Sequence, residues 1–152
     1  MRLILDTSFL IALRKGDSRA QEALKARKTE ADELGISRLT EYELLLGANY
    51  LWKKHGDARE SAWLEEAMDW LTVYEVDGEV VRSAAEVQAE ALLTGEPLAE
   101  MDLLVALSAK SGSELLTMDD GQLKMRARLK AKGVEVATAE SRTVDPASGV
   151  TS

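Results

Sequence analysis

Five short apolar segments punctuate the chain, and stretches of helical periodicity separate them. Residues 2–5 form an apolar run that ends at once on Asp6, which reads as a buried strand. Gly35-Ile36-Ser37 is a second, weaker strand. Residues 72–76, Thr-Val-Tyr-Glu-Val, have the alternation and β-branched content of a third. Residues 114–117 and 134–138 are the fourth and fifth. Helical pattern fills the gaps, over about 7–15, 18–34, 40–54, 57–70, 77–94, 99–111 and 119–131, with breaks at Gly95-Glu96-Pro97, Gly112 and Gly133. Strands separated by helices pair in parallel, because each connection must cross a face of the sheet. The expected fold is therefore α/β, a three-layer α/β/α sandwich around a central five-stranded parallel sheet. At 152 residues the chain suits one domain with one sizeable core. Residues 1–138 are assigned to it, and the polar stretch 139–152, with Pro146 and Gly149, to a loosely ordered tail.

Such sheets bind ligands off the carboxyl ends of their strands, where strand order reverses. Four acidic residues are placed to use that edge. Asp6 follows Leu3-Ile4-Leu5, Glu43 precedes Leu44-Leu45-Leu46, Asp102 opens Leu103-Leu104-Val105-Ala106-Leu107, and Asp119 follows Leu115-Leu116-Thr117-Met118. A carboxylate beside a core-forming segment is costly unless something pairs with it. No matched set of basic residues accompanies these four, which makes a divalent cation the natural partner.

Each of the four also has a structural reading. Asp6-Thr7-Ser8 can cap a helix. Thr40-Glu41-Tyr42-Glu43 fits a capping box, with Thr40 as N-cap and Glu43 reaching back to it, which would leave Glu43 less free to serve a metal. Asp102 sits in a first helical turn, where the helix dipole favours it, yet its helical neighbours Leu98, Ala99, Val105 and Ala106 are apolar. Asp119-Asp120-Gly121 has turn character. Gly47, one turn after Glu43, is costly inside a helix and would let something approach closely.

Composition narrows the chemistry. There is no cysteine, so disulfides, zinc–thiolate sites and thiol nucleophiles are out. His55 is the only histidine and sits at a helix end between Lys54 and Gly56, with nothing nearby that suggests a triad. The apolar runs are too short for a membrane span, and the N-terminus turns acidic too early for a signal peptide, so a cytoplasmic location is expected. The formal charge of −8 argues against a polyanionic partner, but it is uneven. The acidic excess lies in residues 29–108, while both ends are neutral to basic. Lys124, Arg126 and Arg128 belong to a run of five cations, which is either a solvated helix surface or a contact for a phosphate backbone. Trp63 and Trp70, seven apart, would share a helix face and are assigned to core or dimer interface.

Four stretches, in order, resemble the PIN-domain ribonucleases, in particular the VapC-like toxins of toxin–antitoxin pairs. They are Ile4-Leu5-Asp6-Thr7-Ser8-Phe9-Leu10-Ile11, residues 37–48 around Thr40-Glu41-Tyr42-Glu43, Pro97-Leu98-Ala99-Glu100-Met101-Asp102, and Leu115-Leu116-Thr117-Met118-Asp119. The resemblance implies an acidic site of Asp6, Glu43, Asp102 and Asp119, and its Thr-to-Gly spacing selects Glu43 over Glu41. It adds Glu100 as a further acid and Ser8 and Thr117 as nearby hydroxyls. The chain departs from the pattern after Asp119. Asp120 follows at once, with an open role, and Gln122 stands where relatives carry another acid.

An all-oxygen site suits Mg²⁺, with Mn²⁺ as a substitute. The expectation is that Asp6, Asp102 and Asp119 hold metal and that Glu43 holds a second ion or orients the attacking water. The resemblance further implies RNA as substrate, cleavage to a 5′-phosphate and a 3′-hydroxyl, a homodimer and an antitoxin partner. Two neighbouring readings are an RNA-processing PIN nuclease that is not a toxin and a PIN-like module that binds RNA or a partner without cutting. A receiver-type signalling domain would need a lysine after the fifth strand, and none follows Val134 to Thr138. A phosphotransferase would want a second acid two residues after Asp6, where Ser8 stands.

Overall fold

The computed structural model describes residues 1–139, so the expected tail lies almost wholly outside them. Five strands, β1 (Arg2–Leu5), β2 (Glu33–Ser37), β3 (Thr72–Tyr74), β4 (Ser113–Thr117) and β5 (Val134–Thr138), form one sheet in the order β3-β2-β1-β4-β5. Every pairing is parallel. The order reverses at β1, between β2 on one side and β4 on the other. The expected binding crevice thus lies off Leu5 and Thr117.

Seven α-helices are found among the described residues: α1 (Thr7–Arg14), α2 (Ser18–Lys28), α3 (Arg38–His55), α4 (Arg59–Met68), α5 (Gly78–Leu93), α6 (Glu100–Leu107) and α7 (Arg126–Lys130). The pleat of β1 sorts them into layers. Leu3 and Leu5 face one side, with Phe9 and Leu10 of α1, Ala20 and Ala23 of α2 and Ala67 of α4. Ile4 faces the other, with Val80, Ala84 and Val87 of α5, Leu103 and Ala106 of α6 and Leu129 of α7. Both faces of β1 are buried, as a central parallel strand requires. The three-layer α/β/α sandwich is therefore as expected.

Several boundaries differ for identifiable reasons. The helix expected over 18–34 stops at Lys28, because Glu33 and Leu34 pair with Arg2 and Leu3 and so begin β2. β3 ends at Tyr74 rather than residue 76, since its partner β2 ends at Ser37 and leaves nothing to pair with. Residues 119–131 are not one helix. A 3₁₀ turn over Asp120–Met125 precedes the short α7. Trp63 and Trp70 do not share a helix face either. α4 ends at Met68, leaving Trp70 exposed, while Trp63 packs into the core with the Arg14 guanidinium over its ring. His55 ends α3 as expected, exposed before Gly56.

Candidate active site

Asp6 is buried at the end of β1 and caps α1. Its Oδ1 accepts the Phe9 N–H at 2.9 Å and the Ser8 hydroxyl at 2.8 Å, and its Oδ2 accepts the Gln122 side-chain amide at 3.4 Å. Asp6 thus satisfies its capping reading and sits at the switch point. The β4 end is stitched to it. The Met118 N–H donates to the Ser8 hydroxyl (3.2 Å), the Ser8 and Thr117 hydroxyls lie 3.3 Å apart, and the Asp119 N–H donates to Thr117 Oγ1 (2.9 Å). Ser8 and Thr117 thus link the two strand ends through their hydroxyls.

The capping box at Thr40 is not formed. Ser37, at the last position of β2, is the N-cap of α3 and accepts the Leu39 N–H, so the helix starts two residues earlier and Thr40 is buried inside its first turn. Glu43 does not reach back. Its Oε1 accepts the Thr7 hydroxyl at 2.6 Å, and Thr7 lies 3.2 Å from the Thr40 hydroxyl. Glu41 instead pairs with Arg38. The two acids of one helix turn are thereby sorted, with Glu43 turned to α1 and Glu41 to the surface arginine. Thr7 and Thr40 are contributors that the sequence reading treated only as caps.

Asp102 lies in the first turn of α6, half-buried, and accepts no hydrogen bond or ion pair from the described residues. Burial pushes its carboxyl above the usual range, and the charges of Asp119 and Glu43 push it the same way. Burial also raises Asp6. The Thr117 hydroxyl, the Phe9 N–H and the Ser8 hydroxyl pull it part-way back, and the Asp102 charge adds to the rise. Asp102 thus lies within electrostatic reach of Asp6, Asp119 and Glu43. α6 is held beside β2 by a 2.9 Å contact between the buried Ser108 and Ser37 hydroxyls, which fixes the Asp102 helix against the one that carries Glu43.

The arrangement is open. Among the described residues no three acids form a ready-made metal cage. None of the four forms an ion pair with a cation among the described residues. Such a donor set fits an ion of the Mg²⁺ type, which keeps several waters and takes one or two carboxylates. It does not fit a dehydrated, fully caged ion.

The PIN domain family model matches residues 3–128. The chain belongs to the PIN domain family. Its VapC-like PIN fold also recurs in solved structures. One is VapBC2 from Rickettsia felis bound to a promoter DNA fragment, at 17% identity and a TM-score of 0.71 over 91% of this chain and 98% of that one. VapBC-1 from nontypeable Haemophilus influenzae matches at 18% and 0.71, over 92% and 99%. VapBC-5 from Mycobacterium tuberculosis, of the VapBC family of toxin–antitoxin systems, matches at 26% and 0.65, over 90% and 98%. No curated protein matches in sequence. PIN domains are generally nucleases.

The remaining candidates have surroundings of their own. Glu100, two residues before Asp102, is exposed and lines a groove between α5 and α6 with Val81 and Leu92. Asp120 is exposed in the 3₁₀ turn, next to Asp119, whose Oδ1 accepts the Gly121 N–H. Of the three basic residues, Arg126 donates to the Val136 carbonyl and Arg128 to the Thr94 hydroxyl, whereas Lys124 stands beside Glu96, Pro97 and Leu98.

An apolar groove of about 390 Å³ opens beside Glu43, between α1, α3 and α4, lined in part by Thr7, Ile11, Leu44, Gly47, Tyr50 and Trp63. Gly47 keeps one wall of it low, since a Cβ there would meet nothing within 4 Å. Gly47→Ala should accordingly raise stability by about 0.5–1 kcal/mol, read as a higher urea midpoint. A lower midpoint would show that the position is strained in a way its open surroundings do not suggest.

Proposed function

We propose that this chain is a metal-dependent endoribonuclease, a phosphodiester hydrolase that cleaves RNA by attack of activated water, and that it acts as the toxin of a toxin–antitoxin pair. What supports the reading is that Asp102 lies within electrostatic reach of Asp6, Glu43 and Asp119, off the carboxyl edge of the sheet, with no cation paired to any of the four among the described residues. Asp6, Asp102 and Asp119 hold the metal, directly or through water. Asp6 arrives oriented by its hydrogen bonds, and Asp102 accepts no hydrogen bond from the described residues. Asp119 spends Oδ1 on the Gly121 N–H and offers its other oxygen. Glu43, held at Oε1 by Thr7, presents Oε2 to orient the attacking water. Bound Mg²⁺ or Mn²⁺ would acidify that water and stabilise charge on the phosphoryl oxygens. It would also relieve the repulsion between this acidic edge and an RNA phosphate. Lys124 is the cation best placed for backbone contact, since Arg126 and Arg128 already serve other groups.

The partners follow from two surfaces. The groove beside Glu43 suits an antitoxin segment that would block the acids, in keeping with the VapBC complexes that share the fold. Val81, Leu92 and Leu93 on α5, with Leu93 88% exposed, suit a homodimer face. A sedimentation run that returns the monomer mass would remove the dimer reading. The absence of a three-acid cage among the described residues favours a second reading, a non-cleaving binding module.

The deciding experiment incubates the purified protein with single-stranded and structured RNA in Mg²⁺, in Mn²⁺ and in EDTA, alongside metal titration by calorimetry. Cleavage with either metal and none in EDTA is expected, leaving 5′-phosphate ends. Metal binding without cleavage would support the binding module, and cleavage undiminished in EDTA would remove the metal from the mechanism.

A further inference from the structure

Gln122 is a buried polar side chain at the site, in contact with Asp6. It is 2% exposed, in a segment whose other buried members, Met125 and Leu129, are apolar core residues. The 3₁₀ turn brings it there. Its backbone N–H donates to the Asp119 carbonyl at 3.0 Å, so the turn tightens after Asp119 and carries the side chain back over Asp6. Its amide nitrogen then donates to Asp6 Oδ2 at 3.4 Å, while its Oε1 is buried with no hydrogen-bond partner among the described residues. Asp6 Oδ1 is occupied by Ser8 and Phe9, and Gln122 addresses the other oxygen.

A stranded carbonyl in the interior is a standing cost, and a leucine or methionine would fill much the same volume without it. Exchanging the amide's nitrogen and oxygen would not help. It would turn an acceptor toward a carboxylate oxygen and strand the donor instead. The cost has to be offset by what the nitrogen does. A lysine or arginine there would pair with Asp6 and take the place of a metal. An apolar residue would remove that restraint on Oδ2. An amide restrains the oxygen and leaves the charge in place.

We infer that Gln122 is a positioning residue of the acidic site, holding Asp6 Oδ2 toward a divalent cation without neutralising it. This rests on the reading of Asp6 as a metal ligand. Hydrogen-bonded neighbours of ligating carboxylates tune metal affinity by about tenfold or more, so affinity, not only activity, is the quantity that moves.

The test compares wild type with Gln122→Met, which removes both amide atoms at similar length, and with Gln122→Glu, which keeps the shape and replaces the donor by a charge. Mn²⁺ affinity is read by calorimetry and Tm is read in EDTA and in Mn²⁺. Gln122→Met should bind Mn²⁺ about tenfold more weakly, while its Tm in EDTA does not fall, because the stranded oxygen is gone. Gln122→Glu should melt lower than wild type in EDTA and show a larger Mn²⁺-induced rise. Wild-type Mn²⁺ affinity in folded Gln122→Met, or a wild-type Mn²⁺-induced rise in Gln122→Glu, would overturn the inference alone. A wild-type protein that binds no Mn²⁺ would overturn it together with the metal reading beneath it.

Discussion

Asp6→Asn and Asp102→Asn should each lower metal-dependent RNA cleavage by on the order of 10²–10³-fold or more, the scale on which removing one group that stabilises transition-state charge acts. The same variants should be more stable than wild type when metal is withheld. Burial and the neighbouring acids raise both carboxyls, so the folded state holds their protons more tightly than the unfolded chain does. For a raised acid, the contribution to stability is largest at low pH and is lost as pH climbs from the ordinary aspartate value through the raised folded value. At neutral pH in EDTA both groups are therefore a burden, and asparagine relieves it. The advantage of the variants over wild type should shrink as pH falls toward about 4. Asp102→Asn is the cleaner of the two, since Asp102 accepts no hydrogen bond from the described residues. Asp6→Asn keeps a side chain that caps a helix about as well. Thermal melts across pH in EDTA, set beside a cleavage assay in Mg²⁺, read both effects. Variants that cleave like wild type would remove these residues from the site. Variants that cleave poorly and also melt lower in EDTA would show that the acids hold the fold together rather than strain it.

The alternation of apolar runs with helical pattern carried the sheet, because each run is a strand buried on one or both faces and burial leaves a local mark. The acids were legible for the same reason, as charges interrupting that mark. What the sequence hid was set by contacts far along the chain. Thr7 meets Glu43 across 36 positions, and that bond, not a local capping box, decides where Glu43 points. Gln122 meets Asp6 across 116 positions, and nothing near it in sequence distinguishes it from a surface glutamine of a helix. Glu33 and Leu34 read as the end of a helix until their pairing with β1 is known. The start of α3 shifts because Ser37 ends a strand and caps a helix at once, a dual role that periodicity does not register. Local propensity thus located the elements, and tertiary pairing set their ends and aimed the side chains of the site.

Gly35 shows how closely the site depends on that pairing, and Gly35→Ala should cost about 3 kcal/mol, at the upper end of overpacking losses. The glycine is the middle of β2, flanked by Ile4 of β1 and Thr72 of β3. A Cβ built there would sit 2.2 Å from the Thr72 carbonyl oxygen and 2.7 Å from a ring carbon of Tyr74. The ring is held across the strand by its hydroxyl, which donates to Glu33 at 3.0 Å. A flexible side chain could step aside, but a carbonyl in a sheet between fixed neighbours cannot. β2 must therefore shift, and Ser37 with it, which moves the cap of α3, the Ser108 contact of α6 and so both Glu43 and Asp102. The urea midpoint should fall together with Mn²⁺ affinity, a pairing that a loss confined to the sheet edge would not produce. Adding Tyr74→Ala separates the two obstacles. Removing the ring should restore only part of the midpoint, because the carbonyl stays where it is. Full recovery would mean that the ring alone excludes the methyl group and that β2 has room to move without disturbing the acids.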